Sequence, residues 1–413
     1  MSERIILTNA QLIDGTGRDP LPGATVVIQG CRISDVLQSL PSRSDPAARV
    51  LDLKGRTILP GLIDAHVHPG NVDISLDRTR LLPPAVYVHK VSMTLNRDLQ
   101  LGFTTLRDAA GLDPGFKEAI DQDLISGPRL LLSITPLSQT SSAALDRPRP
   151  GAKPRNSLGV SPEICDGPDE VRKATRRTIG RQADQIKIFA DGEVVAQDKQ
   201  DRTGPGQWKF SREEIQMAVE TAKAAGLPVM AHAYSPQAIH NCIQAGVRSI
   251  EHGNLMDDDT ARLMADSGTA YVPTLTTYEV LSRHGLDAGL DKNSLDKLRT
   301  VADAGGQALE KAYRAGVTIG SGSDLIGPFQ HLKGRELALK SEVMTPMEAL
   351  VSATRTNAEI LGLDSELGTV EAGKLADLIV VQEDPLTRPG LFEHGLEKTL
   401  LVIKNGRIVK NLL

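Results

Sequence analysis

The stretch PGLIDAHVH, residues 60–68, decides how the rest of the chain is read. Side chains alternate faces along a strand, so Leu62, Asp64, His66 and His68 share one face while Ile63, Ala65 and Val67 share the other. Two imidazoles one strand step apart can bind the same metal ion. In a polar turn the same pair would carry no such meaning, so the decision falls to the segments that follow.

Those segments repeat a pattern. Strand-like runs recur at 103–109 (FTTLRDA), 129–135 (RLLLSIT), 185–191 (QIKIFAD), 228–234 (PVMAHAY), 249–253 (SIEHG), 270–276 (AYVPTLT) and 317–324 (VTIGSGSD). Helical patterns separate most of them. One is 211–226, with Ser211 as N-cap and Gly226 as C-cap; another is 235–246. Eight strands alternating with helices predict an α/β fold with a parallel (β/α)8 TIM-like barrel. An open doubly wound sheet is the alternative, but no Gly-rich dinucleotide fingerprint follows the first strand.

Both ends read differently. Residues 1–56 and 366–413 carry short alternating runs broken by Gly, Asn and Asp, as hairpins do. Neither end can build a core alone, so a small β-sandwich made from both termini is expected around a barrel at 57–365.

Composition limits the partners. The 413 residues carry a net charge of -5, 40% hydrophobic residues and 3% aromatics. Neither a basic field nor a stacking surface for nucleic acid is expected. Three scattered cysteines oppose a disulfide framework or a thiolate metal site. Without a leader pattern or a run of about 18 apolar residues, a cytoplasmic enzyme with a small-molecule substrate and no membrane partner is expected.

In a barrel, strand ends meet at one mouth. His66 and His68 end the first strand, His232 the fifth, His252 the sixth and Asp324 the eighth, and Lys187 sits on the fourth. A barrel strand is buried on both faces, and burial depresses a lysine's pKa. A neutral amine there can react with carbon dioxide to give an anionic carbamate able to bridge two metals. Alternatively, Lys187 extends into the open mouth and binds substrate. Tyr234 shares a face with His232 and serves either as an oxyanion donor or as a cap on the next helix. His331 and Arg335, with Lys333 between them, form either a cationic site for a substrate carboxylate or a solvated helix start. Arg107 and Asp108 read as a supporting pair. The long connections 136–162 and 192–210 read as lids or substrate walls.

With these motifs in place, the chain resembles the amidohydrolase superfamily over essentially its whole length. The resemblance rests on PGLIDAHVH, GFTTLRD, ADQIKIFADG, VMAHAY, SIEHG, GSGSD, GTVEAGKLADLIVV and VIKNGRIV. Within the superfamily it looks like the branch of imidazolonepropionase-like proteins, Xaa-Pro dipeptidases and related carboxypeptidases, and amide hydrolases acting on ochratoxin-like compounds. The resemblance implies two divalent metals, most often Zn²⁺, with His66, His68 and Asp324 on one and His232 and His252 on the other. Lys187, N6-carboxylated, would bridge them. It also implies a homo-oligomer and a hydrolase of an amide bond in a small peptide or N-acyl amino acid. Asp324 would move the proton from the attacking water to the leaving amine, with Tyr234, His331 and Arg335 touching substrate. Carbamate, urea or cyclic amide hydrolysis would use the same chemistry. Heterocycle deamination fits less well, since Lys187 is present and no Glu follows His232 closely. The sequence departs from many relatives at ADGEVV, which places Glu193 near the mouth, and at TPLSQTSS (135–142), which replaces a Gly- and His-bearing loop.

Overall fold

In the computed structural model, residues 4–38, 48–140, 162–194 and 205–413 are described. Most of the two long loops, 141–161 and 195–204, therefore lies outside the described residues. Five strands open the chain: β1 (Arg4–Leu12), β2 (Leu21–Gln29), β3 (Arg32–Leu37), β4 (Arg49–Asp52) and β5 (Thr57–Pro60). Nine follow: β6 (Leu62–Val67), β7 (Phe103–Asp108), β8 (Arg129–Leu132), β9 (Leu137–Ser138), β10 (Glu163–Ile164), β11 (Ile186–Phe189), β12 (Val229–Ala233), β13 (Ser249–His252) and β14 (Ala270–Val272). β15 (Leu378–Val381), β16 (Thr399–Lys404) and β17 (Arg407–Asn411) close it.

The terminal strands do not form two separate sheets, as a sandwich would. They make one mixed eight-stranded sheet, in the order β17-β16-β15-β5-β1-β2-β3, with β4 also on β1. β1 explains this. Its first half pairs with β4 and its last two residues with β5. A break in register near Asn9, whose φ is 54°, lies between the two halves. One long strand thus ties both groups together. One face buries Ile5, Leu7, Val26, Ile58, Leu378 and Leu401.

The middle strands form two parallel sheets, β6-β7-β8 and β10-β9-β11-β12-β13-β14, not one closed ladder. Residues 317–324 run between β14 and β6 without becoming a strand. They hold Tyr271 on one side (Tyr271 N to Thr318 O, 2.9 Å) and β6 on the other (Ala65 N to Ser321 O, 2.9 Å; Asp324 N to His66 O, 2.8 Å). Side chains take over ladder positions here. Asn357 accepts from Ser321 N, and Asp64 accepts from Ser323 N, both at 3.0 Å. Gly322 is required at this crossing, because a Cβ there would lie 2.7 Å from His66 Cβ. On the other side, the Asp184 carboxylate accepts from Leu132 N at 2.8 Å, where β8 and β11 would otherwise pair.

Alternation then sorts the faces. Ile186, Ile188, Ala231, Ala233 and Ile250 pack outward against helices, with Ile215 and Ile239. That leaves Lys187, His232 and Glu251 on the inner face. The helices begin as their sequences predict. Ser211 and Glu214 form a reciprocal capping box on Arg212–Ala224. Pro236–Ala245 runs from Ser235 to Gly246 in the left-handed region. Among the described residues, no helix is long and apolar enough to cross a membrane.

Candidate metal centre

His66, His68, Lys187, His232, His252 and Asp324 all line one open cleft. Adjacent imidazoles are 4.6–5.4 Å apart between ring centres, from His68 to His66 to His252 to His232. Asp324 lies among them. Its Oδ1 is 3.5 Å from His66 Nε2 and 3.2 Å from His68 Nε2, and its Oδ2 is 3.9 Å from His252 Nδ1. Ligand atoms of His66, His252 and Asp324 fall within 4.8 Å of one another.

In each ring one nitrogen is already engaged, which aims the other. His66 Nδ1 meets Glu251 Oε2 at 2.7 Å, and His68 Nδ1 meets Ala110 O at 3.2 Å. His252 Nδ1 meets Thr274 Oγ1 at 2.8 Å. His232 Nε2 faces Gly192 O at 3.5 Å and Asp191 Oδ1 at 3.6 Å. Asp191 is fixed in turn, since its Oδ2 accepts from the backbone N–H groups of Tyr234 and Ser235, each at 2.8 Å.

The electrostatics suit cations better than protons. Burial, and then the charge of Lys187, hold His66 and His232 well below the ordinary histidine pKa. Burial and the neighbouring His232 do the same to His252. Burial also works against the charged form of His68, but the hydrogen bond and charge of Asp324 outweigh it and raise the pKa. Lys187, 1% exposed, is pushed down to about 8 by burial, against the pull of Glu251 and Asp324. Three imidazoles kept neutral by burial, His68 beside the Asp324 carboxylate, and a partly neutral amine form an N/O donor set that fits divalent transition metals.

Tyr234 also lines the cleft. Its hydroxyl accepts from Tyr278 at 3.0 Å, and burial raises the pKa of both phenols well above normal. The outer wall is apolar, made by Ile74, Leu76, Val194, Leu281, Leu298 and Ile326. Glu193 also lines the cleft, 3.2 Å from Lys209 Nζ.

Two sequence expectations land elsewhere. Arg335 is ion-paired with Glu279 and with Glu393, and His331 Nδ1 turns to Pro328 O at 2.8 Å. Neither is among the described residues of the cleft wall. Lys333 is buried against Asp98 (2.8 Å) and Asp64 (3.6 Å), so no open cationic cluster forms. Arg107 and Asp108 do not pair with each other. Successive strand residues face opposite ways, and Arg107 reaches Glu251 at 2.9 Å while Asp108 accepts from Leu112 N.

Glu251 escaped the sequence reading, although its signal was there. Opposite charges in the core-strand sequences TTLRD and SIEHG are costly unless paired. Thr274 and Tyr278 escaped too, because nothing in AYVPTLTTY marks them as more than strand and helix residues.

The amidohydrolase family model matches residues 57–410. The chain is 32% identical to the ochratoxinase of Aspergillus niger, over 97% of this chain and 85% of that protein. A prolidase solved with N-methylphosphonate-L-proline superposes with a TM-score of 0.92 at 35% identity, covering 99% of this chain and 100% of the other. A Xaa-Pro dipeptidase with methionine bound in its active site superposes at 0.87 and 29% identity, covering 99% and 100%.

Proposed function

The chain belongs to the amidohydrolase family, and we propose that it hydrolyses an amide bond in a small dipeptide or N-acyl amino acid, aromatic amides included. The convergence of four imidazoles, Asp324 and the buried Lys187 on one cleft carries this reading. Two divalent cations, Zn²⁺ first, are proposed: His66, His68 and Asp324 hold one, and His232 and His252 the other. The Lys187 amine, its pKa pushed down to about 8 by burial, attacks the carbon of carbon dioxide in its unprotonated form and loses a proton. Carboxylated in this way, Lys187 would supply an anionic oxygen ligand and help to hold both cations. When bound, the cations lower the pKa of water to about 7 and polarise the scissile carbonyl.

The residues divide the remaining work. Asp324, open enough to meet solvent and central among the rings, accepts the proton of the attacking water and returns it to the leaving nitrogen. The Tyr234 hydroxyl, neutral at working pH, donates to the carbonyl oxygen as negative charge develops there. The apolar outer wall accepts an aliphatic or aromatic side chain and excludes water from it. The ochratoxinase and prolidase relatives support an amide as the bond broken.

The test is a mass-spectrometric screen of the zinc-loaded protein against dipeptides and N-acyl amino acids. Release of a free amino acid is expected. Ammonia from heterocycles with no amide cleavage would replace this reading with a deaminase.

A further inference from the structure

Asp191 lies two residues beyond β11, the strand of Lys187, and is wholly buried. Its backbone is pinned from one side. Lys209 N donates to Ala190 O at 2.7 Å, and Gly192 N donates to Gln207 O at 3.0 Å. Its side chain is pinned from the other. Oδ2 accepts from Tyr234 N and Ser235 N at 2.8 Å each and from Ser235 Oγ at 3.1 Å. Ser235 is the N-cap of helix Pro236–Ala245, and an anion is favoured at a helix N-terminus.

The two carboxylate oxygens differ. Oδ2 has three donors, whereas Oδ1 is shut off from solvent and has no hydrogen-bond partner among the described residues. An unmet acceptor at such depth is costly. Oδ1 faces His232 Nε2 at 3.6 Å, and Gly192 O stands 3.5 Å from the same nitrogen. Neither oxygen has a proton to give, so the proton between them belongs on Nε2. A small turn of the ring brings Oδ1 into hydrogen-bond range. Nδ1 is then left with its lone pair. The Tyr234 ring packs edge-on to the same imidazole, with centres 4.7 Å apart.

We infer that Asp191 is a positioning residue with two tasks: it selects the His232 tautomer whose Nδ1 can take a cation, and it fixes the backbone of Tyr234 beside that ring. One buried carboxylate thus sets both a metal ligand and the group assigned to the substrate carbonyl. The inference deepens the proposed function and rests on its assignment of His232 to a cation.

Asp191→Asn separates the two tasks. The amide oxygen must stay on the Tyr234 and Ser235 N–H groups, so the –NH₂ turns toward His232 Nε2 and sets donor against donor. In a chelator competition this variant holds one zinc ion as the parent does and the second about 10–100-fold more weakly. Equal weakening of both ions, or parent-like affinity for both, would overturn the inference. The tautomer itself is read on the parent, whether or not the variant folds. The nitrogen shifts of ¹⁵N-labelled histidine rings are recorded at about pH 8.5, where a carboxyl that burial pushes up to about 7 is ionised. The resonances lost in His232→Asn identify the ring. A protonated Nε2 and a bare Nδ1 are expected, with the reverse in Asp191→Asn. A parent ring protonated on Nδ1, or the same tautomer in both proteins, would overturn the inference. A parent that binds two zinc ions yet cleaves no amide would leave the role of Asp191 standing and defeat the amide-hydrolase reading.

Discussion

Glu251→Gln is the substitution on which the electrostatics of the centre can be judged. Glu251 is fully buried and serves three donors. Oε2 takes His66 Nδ1–H at 2.7 Å, and Oε1 takes Arg107 Nη2 at 2.9 Å and Ser249 Oγ at 2.6 Å. Glutamine has the same shape, but it must turn an –NH₂ toward either His66 or the Arg107–Ser249 side. Either choice sets donor against donor. Arg107, 3% exposed, keeps bonds to Ala65 O and Ser249 but loses its counter-charge. Removing one partner of a buried ion pair costs about 3–5 kcal/mol, and loss of the group that orients a ligand weakens metal affinity about 10–100-fold. At 1.36 kcal/mol per decade, that affinity loss is about 1.4–2.7 kcal/mol. The metal-free protein should therefore unfold at a lower denaturant concentration, and a chelator competition should show weaker zinc binding. Parent-like zinc affinity together with a stability loss below about 1 kcal/mol would refute the assignment of Glu251 as the anchor of His66.

Lys187→Ala should retain less than the full complement of two metals and show no turnover, checked by elemental analysis and the amide screen; full activity with both metals would remove the bridging role. Asp324→Asn keeps a ligand oxygen but cannot accept a proton, so kcat should fall by about 10²–10⁴ at retained metal content. Lys340 is fully buried against Gly320 O at 3.0 Å, and burial lowers its pKa to about 7 against the pull of Glu336 and Asp64. Between that value and the ordinary lysine range, the unfolded chain binds a proton that the folded chain lacks. Stability from this group therefore rises with pH across the window and falls as pH drops through it. Lys340→Met should flatten the pH dependence of the denaturant midpoint between pH 7 and 10.

Strand identity was legible wherever apolar alternation and turn residues agreed. The run at 103–109 became Phe103–Asp108, and that at 228–234 became Val229–Ala233. The eighth run failed as a strand for a readable reason. Its glycines let 317–324 pass close to His66, and Asp64 and Asn357 took its backbone N–H groups. The convergence of His66, His68, Lys187, His232, His252 and Asp324 on one cleft was legible because each falls on or at the end of a strand-like run. Their orienting partners were less so: the charges of TTLRD and SIEHG signal a buried pair but not that it reaches the centre. Glu251 and His252 are adjacent, so strand alternation sends them to opposite faces, and no local rule says that both will reach the centre.

The backbone supplies what alternation withholds. His252 has φ of 75°, which turns its ring into the cleft when a regular strand would aim it at the helices. Asp324 and Thr274 also lie in the left-handed region, at 52° each. Such conformations cost about 1–3 kcal/mol apiece and persist only where surrounding bonds over-determine them. Here they hold one another. The His252 carbonyl accepts from Tyr271 OH at 2.8 Å while its ring is bonded to Thr274. Asp324 N donates to His66 O at 2.8 Å, and Asp64 anchors the preceding Ser323 through both its N–H and its hydroxyl. Straightening any one of the three would break a bond made by a neighbouring strand, so the strain stays local and the donor groups stay aimed. At these residues the cleft geometry thus follows from tertiary hydrogen bonds more than from the regular sheet around it.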